Sequence, residues 1–188
     1  MRRRDMDEAD DDSQPVMVPR SEKVPAPICP ERKLRLRRHL VAALRGSRLV
    51  KDDAPSVSPM PPAPESFAAR VAHAACSLCK GWCCKGGGDH AYLDERTLQR
   101  VRRARPDLDA RAVLRLYTER VPAVGYNGSC LFHGEQGCTL NRSLRSDVCN
   151  SYFCSGLDAF INGSDSPSPV VVIAGEGDKM RTSAILMP

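Results

Sequence analysis

Eight cysteines lie close together between Cys76 and Cys154, and they limit the possible folds more than any other feature of this chain. They form a compact group and a widely spaced group. The compact group is Cys76, Cys79, Cys83 and Cys84, a CxxCxxxCC pattern, and the spaced group is Cys130, Cys138, Cys149 and Cys154. Only 5% of the residues are aromatic, so we expect a small apolar core that needs other support. The cysteines are the obvious source of that support.

The role of so many cysteines depends on whether the protein's compartment is oxidising or reducing. Three arginines follow Met1 and lead directly into an acidic run, with no apolar segment typical of a secretion signal. The longest apolar runs are too short to cross a bilayer. We therefore expect a cytoplasmic protein without membrane contact. In a reducing compartment, dense cysteines favour metal binding or redox chemistry, with unliganded or disulfide-bonded cysteines as the alternative.

Eight thiols divide naturally into two sets of four, the number that a structural zinc ion or a cubane iron-sulfur cluster requires. The count leaves the metal undecided between zinc and an iron-sulfur cluster. If a helix continued through the compact group, Cys76, Cys79 and Cys83 would face the same way, within an arc of about 60°. Cys84 leaves the backbone in another direction, which indicates either two sites or one site and a free thiol. His90 and His133 are less favoured alternative ligands.

The rest of the chain predicts three segments ahead of one domain. Leucines spaced by four residues among many arginines indicate a basic amphipathic helix. The expected segments are a disordered tail at 1–30, the basic helix at 31–51, a proline-rich linker at 52–65 and a cysteine-cluster metal-binding domain at 66–188. Cys29 is then an exposed free thiol in the tail.

Within the domain we expect mostly helix. Ser66 is the predicted N-cap of one helix, a second helix begins at Asp94, and a third begins at Asp107 or Asp109. Valine-rich and mixed apolar stretches between 170 and 186 predict a terminal hairpin. The predicted fold is mainly α: a small irregular cysteine-rich, metal-dependent domain with a short C-terminal β-hairpin.

These motifs resemble the CxxCxxCC family of cysteine-cluster proteins, also called the YkgJ family. The resemblance covers about residues 75–157 and rests on both cysteine groups and the residues around them. Those residues are Tyr92-Leu93-Asp94-Glu95, Cys130-x-Phe132, Gly137-Cys138-Thr139-Leu140, Arg145-x-x-x-Cys149 and Tyr152-Phe153-Cys154. Two departures make this a divergent version: three residues separate Cys79 from Cys83 where the family has two, and Ser146 follows Arg145 where proline is common. The resemblance implies chelation of zinc or iron by the eight cysteines.

No catalytic motif accompanies the cysteines, since HExxH, GxSxG and dinucleotide-binding patterns are all missing. The expected function is metal binding by a structural or accessory module. The alternative is an iron-sulfur redox protein or an accessory component of a modifying enzyme. Arg142, Arg145 and Lys80 can offset thiolate charge. The basic helix has no interleaved aromatic residues, so a protein partner is favoured over nucleic acid.

Overall fold

The computed structural model describes residues 13–21, 24–50, 65–163, 168–175 and 177–188. The helices in these parts are α1 (Pro30–Gly46), α2 (Phe67–Cys79), α3 (Glu95–Ala104), α4 (Ala110–Thr118), α5 (Asp147–Ser151) and α6 (Ser155–Gly163). The strands are β1 (Gln14–Val18), β2 (Pro25–Pro27), β3 (Val124–Tyr126), β4 (His133–Gly134), β5 (Gly137–Cys138), β6 (Val170–Ala174) and β7 (Arg181–Thr182). Helices account for 47% and small sheets for 15%, so the mainly-α expectation is confirmed only in part.

Side-chain caps define the starts of three helices. Ser66, Asp94 and Asp109 each accept a hydrogen bond from the backbone N–H three residues later, at 3.1, 2.8 and 2.6 Å. The predicted starts at Ser66 and Asp94 are confirmed, and Asp109 is the one of its two candidates that caps α4.

The predicted tail takes part in the fold. Strand β1 pairs in parallel with β6 from Gln14–Val170 to Val18–Ala174, and β2 pairs antiparallel with β3. The expectation of disorder at 1–30 is therefore wrong for residues 13–21 and 24–30, because non-local pairing supplies the order that so short a segment lacks alone. Residues 1–12, 22 and 23 of that prediction, residue 51 of the predicted basic helix and residues 52–64 of the predicted linker lie outside the described residues.

The basic helix predicted at 31–51 corresponds to α1, which ends earlier, at Gly46, and packs into the core. Its residues Leu36, Leu40, Ala43 and Leu44 are buried, and α1 lies against α3 and α4. The prediction that the folded unit begins at residue 66 is therefore wrong, because α1 forms one wall of the first core. Among the described residues, no helix is long and apolar enough to span a membrane.

Two apolar clusters organise the molecule. The first lies beneath α1, α3 and α4 and includes Leu131 and Phe132. The second lies between the β1–β6–β7 sheet and helices α2 and α6. The predicted hairpin is confirmed, because β6 pairs antiparallel with β7 and Val170 bridges to Leu186. The cysteine segments border both clusters.

Candidate metal centre

The compact cysteine group is a helix end followed by a tight turn. Helix α2 ends at Cys79, Lys80 adopts a left-handed conformation with φ 52°, and Gly81 follows at φ 89°. The chain then enters a 3-10 turn over Trp82–Gly86. The three-thiol arc on one continuous helix is therefore wrong for Cys83, although Cys76 and Cys79 keep their helical spacing. The Trp82 N–H donates to Cys79 Sγ at 3.3 Å.

Backbone contacts bring the two cysteine groups together. The Cys130 N–H donates to the Cys84 carbonyl at 2.8 Å, and the Leu131 N–H donates to the Gly88 carbonyl at 2.8 Å. A Cβ added at Gly87 would lie 2.7 Å from Cys130 Cβ, so only glycine fits this approach without displacement. Gly87 therefore provides the space that Cys130 occupies.

His133 anchors the turn after α2. Its ring is buried, with Nε2 2.7 Å from the Lys80 carbonyl and Nδ1 2.8 Å from Ser129 Oγ. It also lies against Tyr126, with 4.4 Å between ring centroids. Because both ring nitrogens have hydrogen-bond partners, His133 acts as a structural residue in this arrangement.

His90, the other alternative ligand, lies at the surface near α1. It is exposed, and its Nδ1 accepts from the Tyr92 N–H at 3.2 Å. Its ring centroid is 5.4 Å from that of His39. The carboxylate of the adjacent Asp89 forms ion pairs with Arg32 Nε at 2.5 Å and with Arg35 Nε at 2.6 Å. Burial of Asp89 alone would raise its pKa, but the two guanidiniums hold that pKa below its usual value.

We group the eight cysteines into two sets, according to which of them line one cavity and which thiols influence each other's pKa. The α2-end set is Cys76, Cys79, Cys83 and Cys154, and the cavity set is Cys84, Cys130, Cys138 and Cys149. Within each set the thiols are close enough for the charge of one to raise the pKa of another. Cys83 also acts on Cys84 and Cys149, so it connects the sets.

Burial dominates the acidity of most of these thiols. It raises the pKa of Cys79 to about 11 and that of Cys130 to about 12. The adjacent pair behaves differently, because a hydrogen bond between their thiols lowers the pKa of Cys83 and raises that of Cys84. A metal ion that binds here must displace protons, so its affinity should rise with pH.

A cavity of about 260 Å³ opens beside the cavity set. All four thiols of that set line it together with Cys83, and the walls include Trp82, Phe132 and Tyr152. Trp82 lies here at partial burial, with the Lys85 ammonium 3.0 Å above the centre of its ring.

Arg145 carries a positive charge that lowers the pKa of thiols in both sets. Its Nε donates to the Leu140 carbonyl at 2.7 Å, and the residue lines the cavity. The hydrogen bond from the Cys84 thiol lowers the pKa of Cys83 most, and Arg145 lowers it further. Arg142 acts on Cys76 in the same direction, against the larger effect of burial. Compensation of a metal centre's charge by these arginines stays a prediction.

Ser146, noted above only as a departure from the family pattern, has a structural role. Its hydroxyl accepts from the Cys149 N–H at 3.2 Å and caps α5, which carries Cys149. Ser129 was also missed, and its hydroxyl donates to the Cys84 carbonyl at 3.1 Å. A serine before Asp147 is a recognisable N-cap signal, whereas no local pattern identifies Ser129.

The donors fit a metal in type and number, but they are not spaced for one. All nine cysteines are described and none forms a disulfide; Cys29 is exposed at the start of α1, as expected for a free thiol. Tetrahedral zinc with bonds of about 2.3 Å needs sulfurs about 4 Å apart. Within the described residues, no three His, Cys, Asp or Glu side chains already form such a group. Binding would require the thiols to rotate toward a common centre.

Compared with known proteins, the chain matches no family model, no curated protein and no solved structure. The resemblance to the CxxCxxCC family therefore stays a prediction that rests on cysteine order and spacing.

Proposed function

We propose that the protein chelates zinc or an iron-sulfur cluster through Cys76, Cys79, Cys83, Cys84, Cys130, Cys138, Cys149 and Cys154 and works as a structural or accessory metal module. The observation that carries the proposal is that five cysteines from separate segments, none of them in a disulfide, line one cavity, while Cys79 and Cys154 pack against the same apolar cluster. The five are Cys83, Cys84, Cys130, Cys138 and Cys149. Four thiolates are a complete ligand set for either metal.

The surroundings of the sulfurs support the same proposal. Cys79 Sγ accepts a backbone N–H from Trp82, and the Cys149 and Cys130 sulfurs interact with Ser146 and the Phe132 N–H. Such bonds stabilise negative sulfur and tune the potential of clusters. Arg145 adds positive charge at both sets. A tetrathiolate centre carries excess negative charge, which these groups would offset.

An iron-sulfur redox role, alone or within a modifying enzyme, is the second candidate. The open cavity favours it, because the cavity set borders a space of about 260 Å³ rather than a closed core. A redox centre must exchange electrons with a partner, and an accessible cavity permits that approach, whereas a structural zinc site needs no such access.

The test is metal and sulfide analysis with an absorption spectrum, on protein purified without oxygen. Stoichiometric zinc in colourless protein would identify a structural module, and brown protein with iron and sulfide would identify the redox candidate.

A Cys→Ser series then assigns the ligands. Cys79→Ser and Cys138→Ser each remove one thiol from a different set, so each should lose about half of the metal if two centres exist. Cys29→Ser is the control and should keep all of it. Equal metal content in the wild-type protein and in variants of all nine cysteines would refute chelation.

A further inference from the structure

Aromatic side chains are scarce in this chain, yet they concentrate around the cavity beside the cysteines. The sequence has one tryptophan, four tyrosines and four phenylalanines, and four of these nine residues line that cavity. They are Trp82, Tyr92, Phe132 and Tyr152. A wall of this composition favours a ligand that carries a flat ring, because aromatic rings stack on one another or meet edge to face.

The cavity has a buried end and an open end. Phe132 is 0% exposed and Leu140 is 2% exposed, so both belong to the buried end. Tyr92, Val148 and Tyr152 also line the cavity, and they are 38%, 53% and 52% exposed. Exposed apolar side chains that surround an opening are typical of a ligand site. A volume of about 260 Å³ lies just below the usual range for small-molecule pockets, which suits a ligand of one or two rings.

Arg145 supplies hydrogen-bond donors at this cavity. Its Nε donates to the Leu140 carbonyl at 2.7 Å, and its charge acts on Cys83 and Cys149, which line the cavity with it. Within the part of the chain that the structure describes, neither terminal nitrogen of Arg145 has a hydrogen-bond or ion-pair partner, and neither is buried. A guanidinium with unused donors can bind an acceptor oxygen.

The charge of the ligand follows from the other groups on the cavity. Among the residues that the structure describes, no Asp or Glu lines it, but five cysteines do. As thiolates on a metal, these sulfurs would balance the positive charges of Arg145 and Lys85, and they would repel a further anion. This step rests on the proposed metal function. It favours an uncharged ligand.

We propose that the cavity binds an uncharged aromatic carbonyl compound, whose ring contacts the aromatic walls and whose oxygen accepts a hydrogen bond from Arg145. The rings of Tyr92 and Tyr152 provide the more accessible stacking surface, because the Lys85 ammonium already covers one face of Trp82 at 3.0 Å from the ring centre. Binding would also remove exposed apolar surface at the opening from water.

The experiment compares three ligands of similar size that are substituted at the same ring position: acetylnaphthalene, the hydrocarbon ethylnaphthalene and the anion naphthoate. Trp82 is the only tryptophan in the chain and lines the cavity, so quenching of its fluorescence reports binding there, in the full chain purified without oxygen. The ketone should bind about 10-fold more tightly than the hydrocarbon, because a hydrogen bond from a charged donor adds roughly that factor. It should also bind more tightly than naphthoate.

Two pairs of variants locate the binding. Tyr152→Ala should weaken binding of the ketone about 5-fold through the lost ring contact. Leu34→Ala, at an exposed position of α1 that does not line the cavity, should leave it unchanged. Arg145→Met should remove the advantage of the ketone over the hydrocarbon. Arg142→Met, three residues away and outside the cavity lining, should retain it. Comparing two ligands within one variant cancels general effects on the fold.

Metal analysis of the same samples separates this inference from the metal function. Protein that contains metal but does not bind the ketone, or that binds naphthoate more tightly, refutes the ligand site and leaves the metal function supported. Protein that binds the ketone with the expected preferences but contains no metal does the reverse. An advantage of the ketone that survives Arg145→Met, or equal losses in Tyr152→Ala and Leu34→Ala, also overturns the ligand site.

Discussion

At the residue scale, the region around the cysteines depends on a few positions whose roles are geometric. Gly87 has ordinary helical backbone angles, so its requirement comes from space and not from conformation. The added Cβ would lie 2.7 Å from Cys130 Cβ and 2.9 Å from Cys130 Sγ. A side chain here would push apart the two segments that carry Cys84 and Cys130.

We predict that Gly87→Ala lowers the free energy of unfolding by about 1 to 3 kcal/mol, because the methyl group overpacks a closed contact. Chemical denaturation of the purified protein measures the change. Gly163→Ala is the matched control, since no atom lies within 4 Å of the added methyl group at the end of α6. Its effect should stay within about 1 kcal/mol and can be stabilising. Equal destabilisation by both substitutions would contradict the steric explanation.

At the element scale, short-range sequence patterns predicted the helices whose starts and buried faces depend on neighbouring residues. The caps at Ser66, Asp94 and Asp109 and the leucine spacing of α1 are short-range patterns, and those helices form where the patterns indicate. Strand β1 has only five residues, and its partner β6 lies more than 150 positions away, so its pairing leaves no local signal. The cysteines of the candidate site could be named from spacing, whereas their division into sets depends on the contact between residues 84–88 and 129–131.

The role of β1 can be tested with two neighbouring substitutions. Val16 is 3% exposed and faces the second core, whereas Met17 is 51% exposed on the other side of the same strand. We predict that Val16→Asp costs about 3 kcal/mol or more, because it buries a carboxylate without a partner. Met17→Asp should cost less than about 1 kcal/mol. Thermal unfolding monitored by circular dichroism compares them, and similar effects would show that β1 does not pair as described.

At the scale of the whole molecule, the proposed cysteine ligands contact both apolar clusters. Cys79 and Cys154 pack against the second cluster, while Cys84 and Cys130 belong to the first. Cys83 and Cys84 are adjacent, yet they fall in different sets, so the chain itself links the two proposed centres. Metal bound at both sets would fasten the Cys83-Cys84 segment to both clusters. The stability of each cluster would then depend on the other.

We therefore predict that removing metal lowers the melting temperature and separates one cooperative transition into two. A ligand at a thousand times its Kd stabilises the folded state by about 4 kcal/mol, and that contribution is lost with the metal. Calorimetry before and after chelator treatment under argon, with elemental analysis of both samples, measures the effect. Cys29→Ser should respond as the wild type does, because Cys29 lies at the start of α1, outside both sets. A protein that releases its metal and keeps the same single transition would show that the metal does not hold the clusters together. The hydrogen bonds from residues 129–131 would then be the main connection between the two cysteine groups.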